Sequence, residues 1–160
     1  MIGKIKRVNC VLNTFDDTVR AINKWQPAQH YSDELKYRDD LLKYLEREMN
    51  LIAHYTYMPK EKISVRKQES TGLCDINVGQ RAVGIKMKKD LTGKSDVDEL
   101  IGQLVGYKSE YDDLIVVLVG KTDEEAFEYL KSQLLTIKDN RYTAQLRIRL
   151  IRRDINTKVS

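Results

Sequence analysis

Glu69 to Lys88 reads ESTGLCDINVGQRAVGIKMK, and the order of strand and turn signals within it decides the fold. Ser70-Thr71-Gly72 is a turn, Leu73 to Val78 a strand, Gly79-Gln80 a tight turn, and Arg81 to Lys88 a further strand. Just upstream, Ile63 and Val65 alternate with polar residues, as in a half-buried strand over 62–69. Three strands joined by such short connections predict an antiparallel β-meander. Within it, Asp75 stands between Cys74 and Ile76. A buried carboxylate is costly unless a metal ion or a cation partners it. Period-two alternation sets Gly84, Lys86 and Lys88 on one face of the third strand and Val83, Ile85 and Met87 on the other. Lys86 is therefore a candidate cation for Asp75, and a plain structural ion pair is one account of both residues.

Working outward, the N-terminal third predicts two helices. One covers 14–25, capped by Thr14 or Asp16, with Trp25 either its hydrophobic anchor or a stacking platform. The second opens at Ser32-Asp33-Glu34, where Tyr37, Leu41, Tyr44, Leu45 and Met49 recur at helical spacing over 33–49. Five tyrosines (Tyr31, Tyr37, Tyr44, Tyr55 and Tyr57) cluster here, as core or as a partner surface. Beyond the meander, Thr92 or Ser95 caps a helix over 95–110 with a stripe of Val97, Leu100, Ile101, Leu104, Val105 and Tyr107. Leu114 to Val119 is apolar throughout and marks a strand buried on both faces, ended by Gly120. Thr122-Asp123-Glu124-Glu125 starts a helix to about Ile137. The last strand, 143–151, turns Leu146, Ile148 and Leu150 inward and Arg147 and Arg149 outward. The sum is an α/β fold, a mixed central sheet with an antiparallel meander flanked by helices. A length of 160 residues, two prolines and no low-complexity linker predict one domain over 1–160 with its core at about 33–151.

Bulk composition narrows the function classes. No apolar run approaches the roughly 18 residues of a membrane span, and the basic start lacks the apolar segment of a signal peptide. Cys10 and Cys74 lie far apart without a CxxC or Cys/His cluster, which argues against zinc and for a reducing, cytoplasmic setting. His30 and His54 are isolated. Net charge is only +4, but it is segregated. Arg81, Lys86, Lys88, Lys89 and Lys94 face one acid, Asp90, across 81–94, and Arg147, Arg149, Arg152, Arg153 and Lys158 face Asp154 beyond 147. Such segregation suits a face for phosphates, with a solvated charge pattern as the alternative.

Asp on the second strand of a meander, lysines on the third, then a helix and a buried strand resemble the core of the PD-(D/E)XK nuclease superfamily. The resemblance spans about 33–120 and implies a restriction-endonuclease-like sheet. In that family a hairpin presents Asp and then Glu-x-Lys, so that two carboxylates hold Mg²⁺ and the lysine orients or activates water. Asp75 matches the first acid, and Gln103-Leu104-Val105-Gly106-Tyr107 is similar to the Gln-x-x-x-Tyr motif of the RecB-like branch. The second acid is missing. If Lys88 is the family lysine, Lys86 stands at the acid position; if Lys86 is, Gly84 does. Either way Mg²⁺ loses a hard oxygen ligand. Three explanations stay open: a carboxylate supplied from elsewhere (Glu69 or Glu34), a degenerate nuclease that only binds, or an inactivating Glu-to-Lys replacement.

The resemblance implies Mg²⁺- or Mn²⁺-dependent hydrolysis of DNA or RNA phosphodiesters, with Asp75 and a second acid on the metal and Lys88 or Lys86 on the developing charge. Gln103 supports the site; Lys89, Lys94 and Tyr107 contact nucleic acid, and Arg147 and Arg149 extend that surface or simply protect an edge strand. A homodimer is a further expectation, since many relatives of this fold pair. The alternatives are a nucleic-acid-binding pseudo-nuclease and a protein-interaction module.

Overall fold

The computed structural model describes residues 14–56, 63–68, 72–137 and 146–153. Elements follow the predicted order: α1 (Thr14–Lys24), α2 (Glu34–Thr56), β1 (Val65–Lys67), β2 (Ile76–Val78), β3 (Val83–Leu91), α3 (Lys94–Tyr107), β4 (Asp113–Thr122), α4 (Glu124–Leu134) and β5 (Arg147–Arg153). The strands form one sheet in the order β1-β2-β3-β4-β5. β1, β2 and β3 are antiparallel, as short turns demand, and β3, β4 and β5 are parallel, joined by the crossover helices α3 and α4. The chain is thus an α/β protein with a mixed sheet flanked by helices. None of its described helices is long and apolar enough to cross a membrane.

β4 explains the two-sided architecture. Its residues Leu114 to Val119 are all fully buried. Ile115, Val117 and Val119 join α1, α2 and the odd residues of β3 in one core, while Leu114, Val116 and Leu118 join α3 and α4 in the other. A strand covered on both faces has no polar side to show, hence its unbroken apolar run. Trp25 is fully buried in the first core, so it is the anchor of α1.

Several boundaries differ from the expectation, each for a local reason. α2 begins where Asp33 Oδ1 accepts the Leu35 N–H at 3.0 Å, and it runs on to Thr56. At α3 neither Thr92 nor Ser95 is the cap. The N-cap is Gly93, and Thr92 instead donates its N–H and hydroxyl to Asp96 Oδ2, each at 3.1 Å. β2 starts only at Ile76, because side chains replace ladder partners before it. Cys74 N–H donates to Tyr111 Oη at 2.9 Å, and the Asp75 carboxylate accepts the Met87 N–H at 2.7 Å. Gly120 does not end β4. It adopts φ +73° with Asp90 packed where a Cβ would stand, and Asp90, at φ +54°, marks a register shift after Lys89. The outer ends of the expected strands at 62 and 143–145, and Glu69, lie outside the described residues.

Candidate functional site

β3 outruns β2. Its N–H groups at Met87 and Lys89 face the side where β2 has already ended, and two carboxylates take the place of the absent strand. Asp75 Oδ2 accepts from Met87 at 2.7 Å, and Glu34 Oε2 accepts from Lys89 at 2.8 Å. Donors two residues apart on a strand are separated by about 7 Å, so the carboxylates sit side by side along one bare edge. Asp75 comes from the hairpin and Glu34 from the first turn of α2. The structure therefore brings together two of the three acids singled out from sequence.

The hairpin register sets the partner of Asp75. Ile76 pairs with Ile85 and Asn77 with Gly84, so the same ladder sets Asp75 opposite Lys86. Lys86 Nζ lies 3.5 Å from Asp75 Oδ2, with the side chains only 12% and 16% exposed. Gly84 has no room for a side chain. A Cβ there would stand 2.8 Å from Cys74 Sγ and 2.9 Å from the Tyr111 ring, inside any tolerable contact. That close approach is the reason for a glycine within the strand.

The donor set does not fit a divalent metal. Mg²⁺ wants several hard oxygens in near-octahedral order. Here one oxygen of each carboxylate already accepts a backbone N–H, and an ammonium lies against Asp75. Among the described residues, no group of three or more His, Cys, Asp or Glu side chains is arranged to hold a metal.

The remaining sequence candidates divide. Lys88 is half-buried on the Lys86 face and, among the described residues, makes no ion pair; its charge helps to hold Asp96 below the ordinary carboxyl range, after the Thr92 N–H hydrogen bond. Lys89 is occupied by an ion pair with Asp90. Burial works against ionisation of Asp90, but the Lys89 ammonium and the Lys121 N–H at 2.8 Å outweigh it and lower its pKa. Lys94 lies 5.4 Å over the Tyr129 ring, one strand end away. Tyr107 is 9% exposed, and burial, then the nearby Cys74 and Asp75, push its hydroxyl pKa up; it supports the site from below rather than offering a stacking face. Gln103 is exposed and makes no hydrogen bond among the described residues.

Arg147 and Arg149 do not extend this surface. β5 lies three strand spacings, about 14 Å, from β2. Arg147 forms two 2.9 Å bonds to Asp113 and stacks 4.4 Å over Phe15 of α1, on the sheet face opposite Lys86. Its charge is spent on the fold.

Sequence reasoning missed Tyr111 and Asp90. Tyr111 reaches Asn77 as well as Cys74 and ties β2 to the loop before β4. A polar Asn77 between Ile76 and Val78 was the available signal; Asp90 had only Gly120 to point to it. Compared with family models, with curated proteins and with solved structures, the chain matches none.

Proposed function

We propose that this chain is a nucleic-acid-binding domain with a nuclease-type hairpin whose metal position is held by its own lysine. The observation that carries this is Lys86 Nζ at 3.5 Å from Asp75, directly across the ladder. An internal ammonium neutralises Asp75 permanently and repels a second cation. The site then lacks what phosphodiester hydrolysis needs, a polarising metal and the acidified water it supplies. Lys88, without an ion pair among the described residues, remains to meet a phosphate of DNA or RNA.

An active Mg²⁺-dependent nuclease is the second reading, and Glu34 favours it, since α2 delivers a second carboxylate to the same strand edge. Labelled linear DNA and RNA, incubated with Mg²⁺ or Mn²⁺, separate the two. We expect the chain to bind without cutting. Lys86→Glu should cut only with metal, and the further change Asp75→Ala should abolish that cutting. Cleavage by the unaltered chain, lost in Asp75→Ala and in Glu34→Gln, would establish the nuclease instead. Neither binding nor cleavage by any variant would sink both readings and leave an interaction module.

A further inference from the structure

A group of cations without ion-pair partners among the described residues lies away from Asp75, on the outer flank of α2. Lys36, Lys43 and Arg47 fall within about 40° of arc on that helix, and they span about 16 Å along its axis. All three are exposed, and among the described residues none forms an ion pair. With Gln26, Tyr31 and Tyr44 they line a groove of 470 Å³ between α2 and the segment that follows α1.

The two acids beside them are already engaged. Asp39 is paired with Arg38 at 2.9 Å. Asp40, in the groove floor, accepts from Trp25 Nε1 at 3.1 Å, Ala28 N–H at 2.8 Å and Tyr31 Oη at 2.7 Å. Three neutral donors fix the Asp40 carboxylate in the floor without cancelling its charge, and Lys36, Lys43 and Arg47 outnumber Asp39 and Asp40 along the groove. The aromatic wall is rigid. Tyr31 is fixed by Asp40 at its hydroxyl, by Tyr37 Oη at its N–H (3.0 Å), and by edge-to-face packing on Tyr37 with centroids 5.0 Å apart. Tyr44 is held through its hydroxyl to Ala21 O at 2.8 Å. Both residues are half-buried and line the groove.

We propose that this groove binds single-stranded nucleic acid, the three cations following successive phosphates and the tyrosine rings receiving unpaired bases. A cationic track combined with fixed aromatic faces is the arrangement that suits single strands, because a duplex hides its base faces. The proposal rests on the nucleic-acid reading above and adds the strand type and the surface.

Trp25 is the single tryptophan of the chain and lines this groove, so its emission reports binding directly. The test titrates a single-stranded thymidine oligonucleotide, and a duplex of equal length, into four proteins. These are the unaltered chain, the triple variant Lys36→Glu, Lys43→Glu and Arg47→Glu, the triple alanine variant at the same positions, and Lys88→Glu. We expect the single strand to quench Trp25 and to bind the unaltered chain more tightly than the duplex. Neutralising three phosphates on a single strand contributes a salt slope of about 2, or about twenty-fold in affinity between about 50 and 200 mM salt. The triple variant should lose that much, and the triple alanine variant should lose it too, with an unchanged thermal midpoint. Full binding by the triple variant with loss in Lys88→Glu would overturn the groove and leave the functional reading standing. A preference for duplex would overturn the single-strand assignment. Displacement of the oligonucleotide by polyglutamate at equal charge would assign the groove to acidic proteins. No binding of either nucleic acid would overturn both proposals.

Discussion

An ammonium and a carboxylate set 3.5 Å apart and mostly shielded from water depend on each other more than a surface pair does. Lys86→Met keeps the hydrocarbon stem but strips Asp75 of its cation. We expect a loss of about 2 kcal/mol in urea denaturation at neutral pH, below the range for fully buried pairs because both side chains retain some exposure. Asp90 gives a pH signature of a different kind. Its folded-state pKa is depressed, so its contribution is present above the unfolded value near 3.8 and is lost as pH falls through the folded one. Asp90→Asn should therefore lower the thermal midpoint at pH 7 and leave it nearly unchanged at a pH low enough to protonate the folded-state carboxyl as well. An equal deficit at both pH values would assign the effect to backbone geometry at φ +54° rather than to charge.

At the scale of the hairpin, Gly84 acts as a spacer. Cys74 and Tyr111 fill the volume over it, and burial holds both of their pKa values up, so the thiol stays protonated and inert. Gly84→Ala should cost about 1–3 kcal/mol in urea denaturation through overpacking, and a value near zero would mean that the Tyr111 ring moves freely. Gly84→Glu should fail to fold. The hairpin was legible in sequence because turn residues and alternation are local signals: Gly79-Gln80 and the Val83-Ile85-Met87 face both hold. The start of β2 was not legible. Leu73-Cys74-Asp75 has the composition of a strand, and the Asp75 carbonyl does accept the Gln68 N–H at 2.8 Å, but the Cys74 N–H goes to the Tyr111 hydroxyl and the Asp75 carboxylate to the Met87 amide, partners 37 and 12 residues away. For the same reason Glu34 could be suspected from its helix face while its target, the Lys89 N–H, could not.

Across the whole molecule, charge segregated along the chain is not charge segregated in space. The clusters at 81–94 and beyond 147 read alike in sequence, yet the parallel order of β3, β4 and β5 puts them on different strands, with Arg147 on the α1 face and Arg152 against Phe127 of α4. Arg149→Glu should leave oligonucleotide affinity within about twofold, while Lys88→Glu should weaken it by roughly tenfold, a phosphate contact being worth about 1.4 kcal/mol on that scale. A large loss in Arg149→Glu would mean that nucleic acid wraps onto the α1 face. The α2 flank escaped notice because Lys36, Lys43 and Arg47 alternate with Asp39, Asp40 and Glu46 in the chain. In the fold Asp39 pairs with Arg38 and Asp40 is held by three neutral donors, and the three cations outnumber the two acids that line the groove.

The two carboxylates that stand in for a strand beside β3 also change how that strand breathes. Elsewhere along β3 an amide is exposed only when two strands part. At Met87 and Lys89 the rotation of one side chain is enough. Solvent deuterium thus has a private door into the middle of the sheet, one that opens without loosening the β3–β4 seam behind it.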